Sequence, residues 1–216
     1  MNSVFKVADR SGKITKIEAQ KQRKQRASVY LDGEFAFGLD SSVLLQFDLK
    51  KGDILTKTRI KDILQKEEKK RVKENAFRYL AARAHSEKEL QTKLRQKGYA
   101  EELIETVLWE LREAKFIDDV KFAFAFALNR IAKKPMGARL LRQELWQKGL
   151  KPEIIDKALT EAYSAKRQEE IARELVESRK DRYQDLDENK QKKRLNDFLL
   201  RRGFDWEIVK EVIAEK

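Results

Sequence analysis

Few residues of this 216-residue chain are suited to covalent or metal chemistry. There is no cysteine, which removes disulfides, thiolate nucleophiles and thiolate–metal sites. The one histidine, His85, stands beside Ser86, and a serine nucleophile would need such a base. The reading preferred here is structural: a helix ends at His85, and Ser86-Glu87-Lys88-Glu89 has the spacing of a capping box for the next helix. Asp118-Asp119 is a carboxylate pair that a divalent cation would accept. It reads better as the cap of a helix starting near Val120. No Walker-type phosphate loop occurs. Phe116, Phe122, Phe124 and Phe126 form an aromatic cluster. The last three cannot share one helical face, so at least one is expected between packed units or exposed; core packing is preferred over base stacking. The chain is expected to be no enzyme, with no cofactor and no metal.

Charge is the stronger signal. Lys and Arg number 49 against 37 Asp and Glu, a formal net charge of +12. The isoelectric point near 9.7 calls for an acidic partner, nucleic acid first and an acidic protein surface second. Between residues 130 and 151, seven bases face a single acid, Glu144. Of these, Arg130, Lys133, Lys134, Arg139, Arg142 and Lys148 are candidate partner or DNA contacts. Lys21, Arg23, Lys24 and Arg26 are a second candidate set; the competing reading, charge guarding an edge strand, is favoured for them. A third basic run, Lys190 to Arg194, is diluted by Asp185, Asp187 and Glu188.

The elements that must carry these residues follow from three glycines. Gly98, Gly149 and Gly203 lie 51 and then 54 residues apart and close the segments Leu94–Gly98, Leu145–Gly149 and Leu199–Gly203. Leu90, Leu141 and Leu195 each precede their glycine by eight residues. Apolar pairs recur five and six, then nine and ten, residues after it. Such a period marks tandem units that bury their apolar faces on each other. Each unit reads as three helices, the second ending on its glycine as a left-handed stop. Lys97, Lys148 and Arg202 offset the dipole there. The third helices open with Glu101-Glu102, Pro152-Glu153 and Asp205-Trp206-Glu207. Carboxylates crowd them, which argues against a DNA-reading helix-turn-helix. Gly137 takes the place of Ser86, and the third unit has about three extra residues within 178–192.

Before the repeats, the chain has strand grammar. Asp32-Gly33 between Ala27–Leu31 and Glu34–Leu39 is a hairpin signal. Asp40-Ser41-Ser42 suits an N-cap. About three strands and one short helix are expected. The charged run at 65–71 is either a solvated helix or a hinge. The fold class is therefore mainly α: three tandem three-helix repeats in an elongated stack after a small N-terminal β-sheet. Boundaries are expected at 1–55 (sheet), 56–70 (helical linker), 71–117, 118–163 and 164–216 (repeats). The start, Met1 to Lys6, lacks a signal-peptide core and no apolar run reaches membrane-spanning length, so a soluble cytoplasmic protein is expected. With no long heptad seam, a monomer is favoured.

Several linked motifs resemble the RecX family of bacterial recombination regulators. They are Ser86–Leu90 through Lys97-Gly98-Tyr99, Phe116-Ile117-Asp118-Asp119 with Phe122-Ala123, and Gly137 through Glu144-Leu145 and Lys148-Gly149-Leu150. The N-terminal segment with Tyr30–Glu34 looks like an extension found in some members. The resemblance implies action on the RecA recombinase, in homologous recombination, DNA repair and the SOS response. Family members bind in the groove of the RecA–DNA filament, block its growth or promote its disassembly, and so lower ATP hydrolysis. Some bind DNA directly. The alternative is a DNA-binding protein without a protein target.

Overall fold

The computed structural model describes residues 10–21 and 23–215. The start of the chain, Met1 to Lys6, lies outside them. The chain divides into two compact units within one helix, at Phe77/Arg78.

The first unit is built on β1 (Gly12–Gln20), β2 (Arg23–Leu31), β3 (Glu34–Asp40) and β4 (Ile54–Leu55). All pairings are antiparallel, in the order β3-β2-β1-β4. Asp32 (φ 48°) and Gly33 (φ 90°) make the expected tight turn, with Leu31 opposite Glu34. Positive φ at both central residues matches the twist of the strands. The fourth strand was not expected: two residues are too few to show an alternating pattern. It pairs with Gly12 and Lys13. Asp40 caps α1 (Ser41–Gln46) by accepting from the Ser42 amide. Ile14, Val29, Leu31, Phe37 and Leu39 form the core, closed by Ile60 and Ile63 of α2 (Lys57–Ala82).

The charged run at 65–71 does not interrupt α2, which is continuous for 26 residues. Glu67, within that run, is buried. It accepts from Arg26 at 2.6 Å and from the Asp40 amide at 2.8 Å. Burial of a carboxylate needs such partners.

The second unit holds the repeats. The C-terminal turns of α2 with α3 (Glu87–Gln96) and α4 (Glu101–Glu113) make the first. The second comprises α5 (Asp119–Lys133), α6 (Ala138–Gln147) and α7 (Pro152–Ala162). The third comprises α8 (Gln168–Glu177), α9 (Glu188–Arg201) and α10 (Trp206–Ala214). Leu90, Leu141 and Leu195 are all buried. Gly98, Gly149 and Gly203 have φ of 82°, 77° and 83°, the left-handed stop that lacks a penalty only without a Cβ. The longer third repeat contains a 3₁₀ turn (Lys180–Tyr183) before Asp187 caps α9.

Two joints tie the repeats. At the first, the Ser86 hydroxyl donates to the Lys148 carbonyl at 2.6 Å, and the Lys148 ammonium reaches Glu89 at 2.7 Å. The expected capping box is therefore half formed. Ser86 accepts from the Glu89 amide, but the Glu89 carboxylate turns to Arg83 and Lys148 instead of reaching back. At the second joint, the Gly137 amide donates to the Arg202 carbonyl at 3.0 Å, and the Arg139 amide to the Gly203 carbonyl at 3.1 Å. Ser86 and Gly137 thus do the same thing with different atoms: each N-cap residue donates to the residue before the next repeat's stop glycine. Ile131 and Tyr163 pack against the cores of both the second and the third repeat.

Candidate partner-binding surface

The sequence-based basic set of the middle repeat spans the end of α5 and the exposed side of α6. Its members have different fates. Arg130 is held by Glu144 through two bonds, Nε at 2.6 Å and Nη2 at 2.7 Å, on a half-buried side of the repeat. Lys148 belongs to the first joint. Arg139 is exposed, yet its guanidinium donates to the Leu200 carbonyl at 2.7 Å. Arg142 pairs with Asp156 at 2.6 Å, both side chains more than half exposed. Lys133 and Lys134, in the last turn and C-cap of α5, are exposed and have no ionic or hydrogen-bonded side-chain partner among the described residues. The turn Pro135-Met136-Gly137 places these lysines just before α6; its Met136 is fully buried, which anchors it.

On α6 the buried residues are Leu141 and Leu145. Arg139, Arg142, Gln143, Trp146 and Gln147 occupy the opposite, exposed side, at helical spacing. Trp146 is 64% exposed. The charge count missed it. The signal was present: Trp146 lies four residues after Arg142 and seven after Arg139, out of phase with the two leucines. A tryptophan beside arginines on an open surface is the composition of an interaction hot spot.

The N-terminal basic set is not gathered in the same way. Lys21 is exposed in the β1–β2 turn. Arg23 and Lys24 begin β2, and their side chains lie outside the described residues. Arg26 is engaged by Glu67 and also donates to the Gly38 carbonyl. The edge-strand reading fails: β2 lies between β3 and β1 in the sheet, so it has no open edge to guard.

The two candidate chemical pairs have structural partners. His85 is buried, and burial lowers its pKa from the ordinary imidazole value; Nδ1 lies 2.9 Å from the Arg83 carbonyl. The Ser86 hydroxyl proton goes to the Lys148 carbonyl, away from the imidazole. Asp118 caps α5 by accepting from Val120 and Lys121 amides. Asp119 accepts from the Glu87 amide, and its pKa is raised, by burial first and then by the nearby Glu87 and Asp118 carboxylates. Among the described residues, no group of three His, Asp or Glu side chains is placed to hold a metal ion. Phe116 is exposed, whereas Phe122 is buried and stacks on Phe126 at 5.8 Å. No described helix is long and apolar enough to cross a membrane.

Four family models match in chain order: the regulatory protein RecX N-terminal domain over residues 12–56, and the first, second and third RecX three-helix domains over 73–111, 118–159 and 167–213. The chain belongs to the RecX family of regulatory proteins. The regulatory protein RecX of Clostridium acetobutylicum is 34% identical over 206 residues, 94% of this chain and 95% of that one. The Bacillus licheniformis regulatory protein RecX is 33% identical, covering 94% and 76%. A crystal structure of a regulatory protein RecX superposes with a TM-score of 0.76 at 34% identity, over 94% of this chain and 99% of the other. RecX from Lactobacillus salivarius, at 24% identity and a TM-score of 0.64, shares the fold over 68% of the chain.

Proposed function

We propose that this RecX-family chain acts, without catalysing a reaction, on RecA–DNA filaments, lowering RecA ATPase activity by blocking filament growth or promoting disassembly. The observation that carries the reading is the exposed side of the middle repeat, where Lys133 and Lys134 lack partners among the described residues, Arg142 is held only by an exposed pair with Asp156, and Trp146 stands open on α6. A helical filament offers a repeating acidic lattice, and a cationic face with one large aromatic anchor suits it. Arg139 contributes less freely, because it also serves the second joint.

RecA ATPase on single-stranded DNA is the direct test. Stoichiometric excess of the protein should depress hydrolysis. A Lys133→Glu, Lys134→Glu double variant should lose most of that effect while keeping wild-type helicity, since neither side chain supports the fold. Unchanged hydrolysis with the wild-type protein refutes the reading. Full inhibition by the double variant moves the contact off this face.

A further inference from the structure

Two helices in neighbouring repeats carry the same face in opposite charge. On α4, Glu102, Glu105 and Trp109 follow one another three and then four residues apart; on α6, so do Arg139, Arg142 and Trp146. That spacing puts each trio on one side of its helix. All six residues are exposed, away from the buried Ile104, Leu108 and Leu111 of α4 and the buried Leu141 and Leu145 of α6. At about 1.5 Å per residue, each trio spans about 10 Å.

Packing within the chain accounts for neither face. Trp109 is 55% exposed and Trp146 more so. Glu102 and Glu105 have no ionic or hydrogen-bonded side-chain partner among the described residues, and Glu113, one turn beyond Trp109, extends the acidic side in the same way. On a chain of net charge +12, such a face repels a phosphate backbone and has no part in the filament reading. On α6, Arg139 donates to the Leu200 carbonyl, which is neutral, so its charge is not cancelled. Arg142 pairs with Asp156 at 2.6 Å, both side chains more than half exposed. Asp156 keeps its charge there, and the trio is cationic by one guanidinium rather than two. Within one chain the two trios do not meet, since Arg139 and Arg142 go to Leu200 and Asp156.

We infer that the face formed by Glu102, Glu105 and Trp109 in one copy docks on the face formed by Arg139, Arg142 and Trp146 in a second copy of this chain. Laid parallel, the equal spacing opposes Glu102 to Arg139, Glu105 to Arg142 and Trp109 to Trp146 in one register. The tryptophans supply apolar area, and the ion pairs set the alignment. Two acidic faces repel each other, and so do two basic ones; the contact that charge permits joins unlike faces. One helix laid on one helix buries less than a stable interface requires. The association is therefore weak, with a Kd of about 0.1–1 mM, and salt screens it.

Sedimentation equilibrium of the full chain, with neither recombinase nor DNA present, is the test. At about 50 mM salt the weight-average mass should rise between about 10 µM and about 1 mM protein, and it should return toward the monomer at about 500 mM salt. An acidic-face variant (Glu105→Lys with Trp109→Ala) and a basic-face variant (Arg142→Gln with Trp146→Ala) should each stay monomeric at wild-type helicity. Mixed in equal amounts they should associate again, into pairs and no further, because each keeps the face that the other has lost. Exchanging the charges in one chain, Glu105→Arg with Arg142→Glu, should give self-association at least about 10-fold tighter than either change alone. A wild-type chain that remains monomeric at low salt overturns the proposal. So does a variant that associates alone as the wild type does, or a mixture no heavier than its components. The proposal does not rest on filament recognition: each of these failures leaves ATPase inhibition untouched, and a failure of the filament reading leaves these masses untouched.

Discussion

The glycine series separates two penalties that the fold combines. Gly98 and Gly203 occupy equivalent left-handed stops, at φ 82° and 83°. Nothing lies within 4 Å of a Cβ built on Gly98, whereas one on Gly203 would fall closer than 3.0 Å to Leu140, including its backbone. Gly137 is the converse case: φ is −85°, which any residue adopts, but a Cβ would overlap the Gly203 carbonyl group and the Phe204 amide. Gly98→Ala should thus incur the conformational penalty alone, about 1 kcal/mol. Gly137→Ala should incur the steric one alone, about 1–3 kcal/mol as overpacking against backbone that cannot rotate away. Gly203→Ala should incur both, about 2–4 kcal/mol. Urea denaturation followed by far-UV circular dichroism gives the order. Because repeats unfold as coupled neighbours, hydrogen exchange is needed to place the loss. For Gly137→Ala, protection should fall first in α9 and α10 and at the Arg139 amide, which donates across that joint. If Gly137→Ala matches wild type, or if Gly98→Ala costs as much as Gly203→Ala, the second joint is not held by close backbone approach.

Three further outcomes follow from burial and charge. Burial pushes the Glu89 carboxyl up, but hydrogen bonds from Arg83 and Lys148 outweigh it and hold the pKa down at about 2. A depressed carboxyl contributes stability that is complete above its unfolded value and lost as pH falls toward the folded one; Glu89→Gln should therefore cost about 3 kcal/mol at neutral pH, a deficit in urea midpoints that shrinks between about pH 4.5 and pH 2. A deficit independent of pH would refute the assignment. Trp146→Ala should leave stability within about 0.5 kcal/mol yet weaken filament inhibition by about 30-fold if it is an anchor, measured as the concentration that halves ATPase activity. Glu67→Ala strands Arg26 beneath the sheet and should destabilise the first unit by about 3 kcal/mol, seen as lost amide protection in β2 and β3.

The helical architecture was legible because it rests on local rules. A stop glycine, a capping Asp or Ser and a leucine eight residues upstream are all read within one or two turns, and each stands where it was expected. What was not legible depends on partners distant in sequence. Glu67 sits among lysines and reads as solvated, yet residues 41 and 27 positions away bury it. Arg130 and Lys148 read as free cations, but their acids lie 14 and 59 positions off. Lys115, just past the end of α4, takes a left-handed backbone (φ 57°) of which its residue type gives no warning. The equivalence of Ser86 and Gly137 was visible as spacing; that one donates through a hydroxyl and the other through an amide was not.

The magnitudes decide which charges of the middle repeat are available. The Arg130–Glu144 pair is bidentate and half-buried, and Lys148–Glu89 closes a joint; charge-assisted hydrogen bonds of that kind contribute about 1.5–3 kcal/mol each and are not given up to a passing ligand. Arg142–Asp156 is different. Both groups are more than half exposed, and such surface pairs contribute about 1 kcal/mol or less. A phosphate or carboxylate on a partner can displace Asp156 at little loss. Lys133 and Lys134 have no partner among the described residues to displace. Of the bases crowded between residues 130 and 151, those that hold the repeats together and those open to a partner are therefore different residues. Neutralising the second group should alter binding and spare the fold, and neutralising the first should do the reverse.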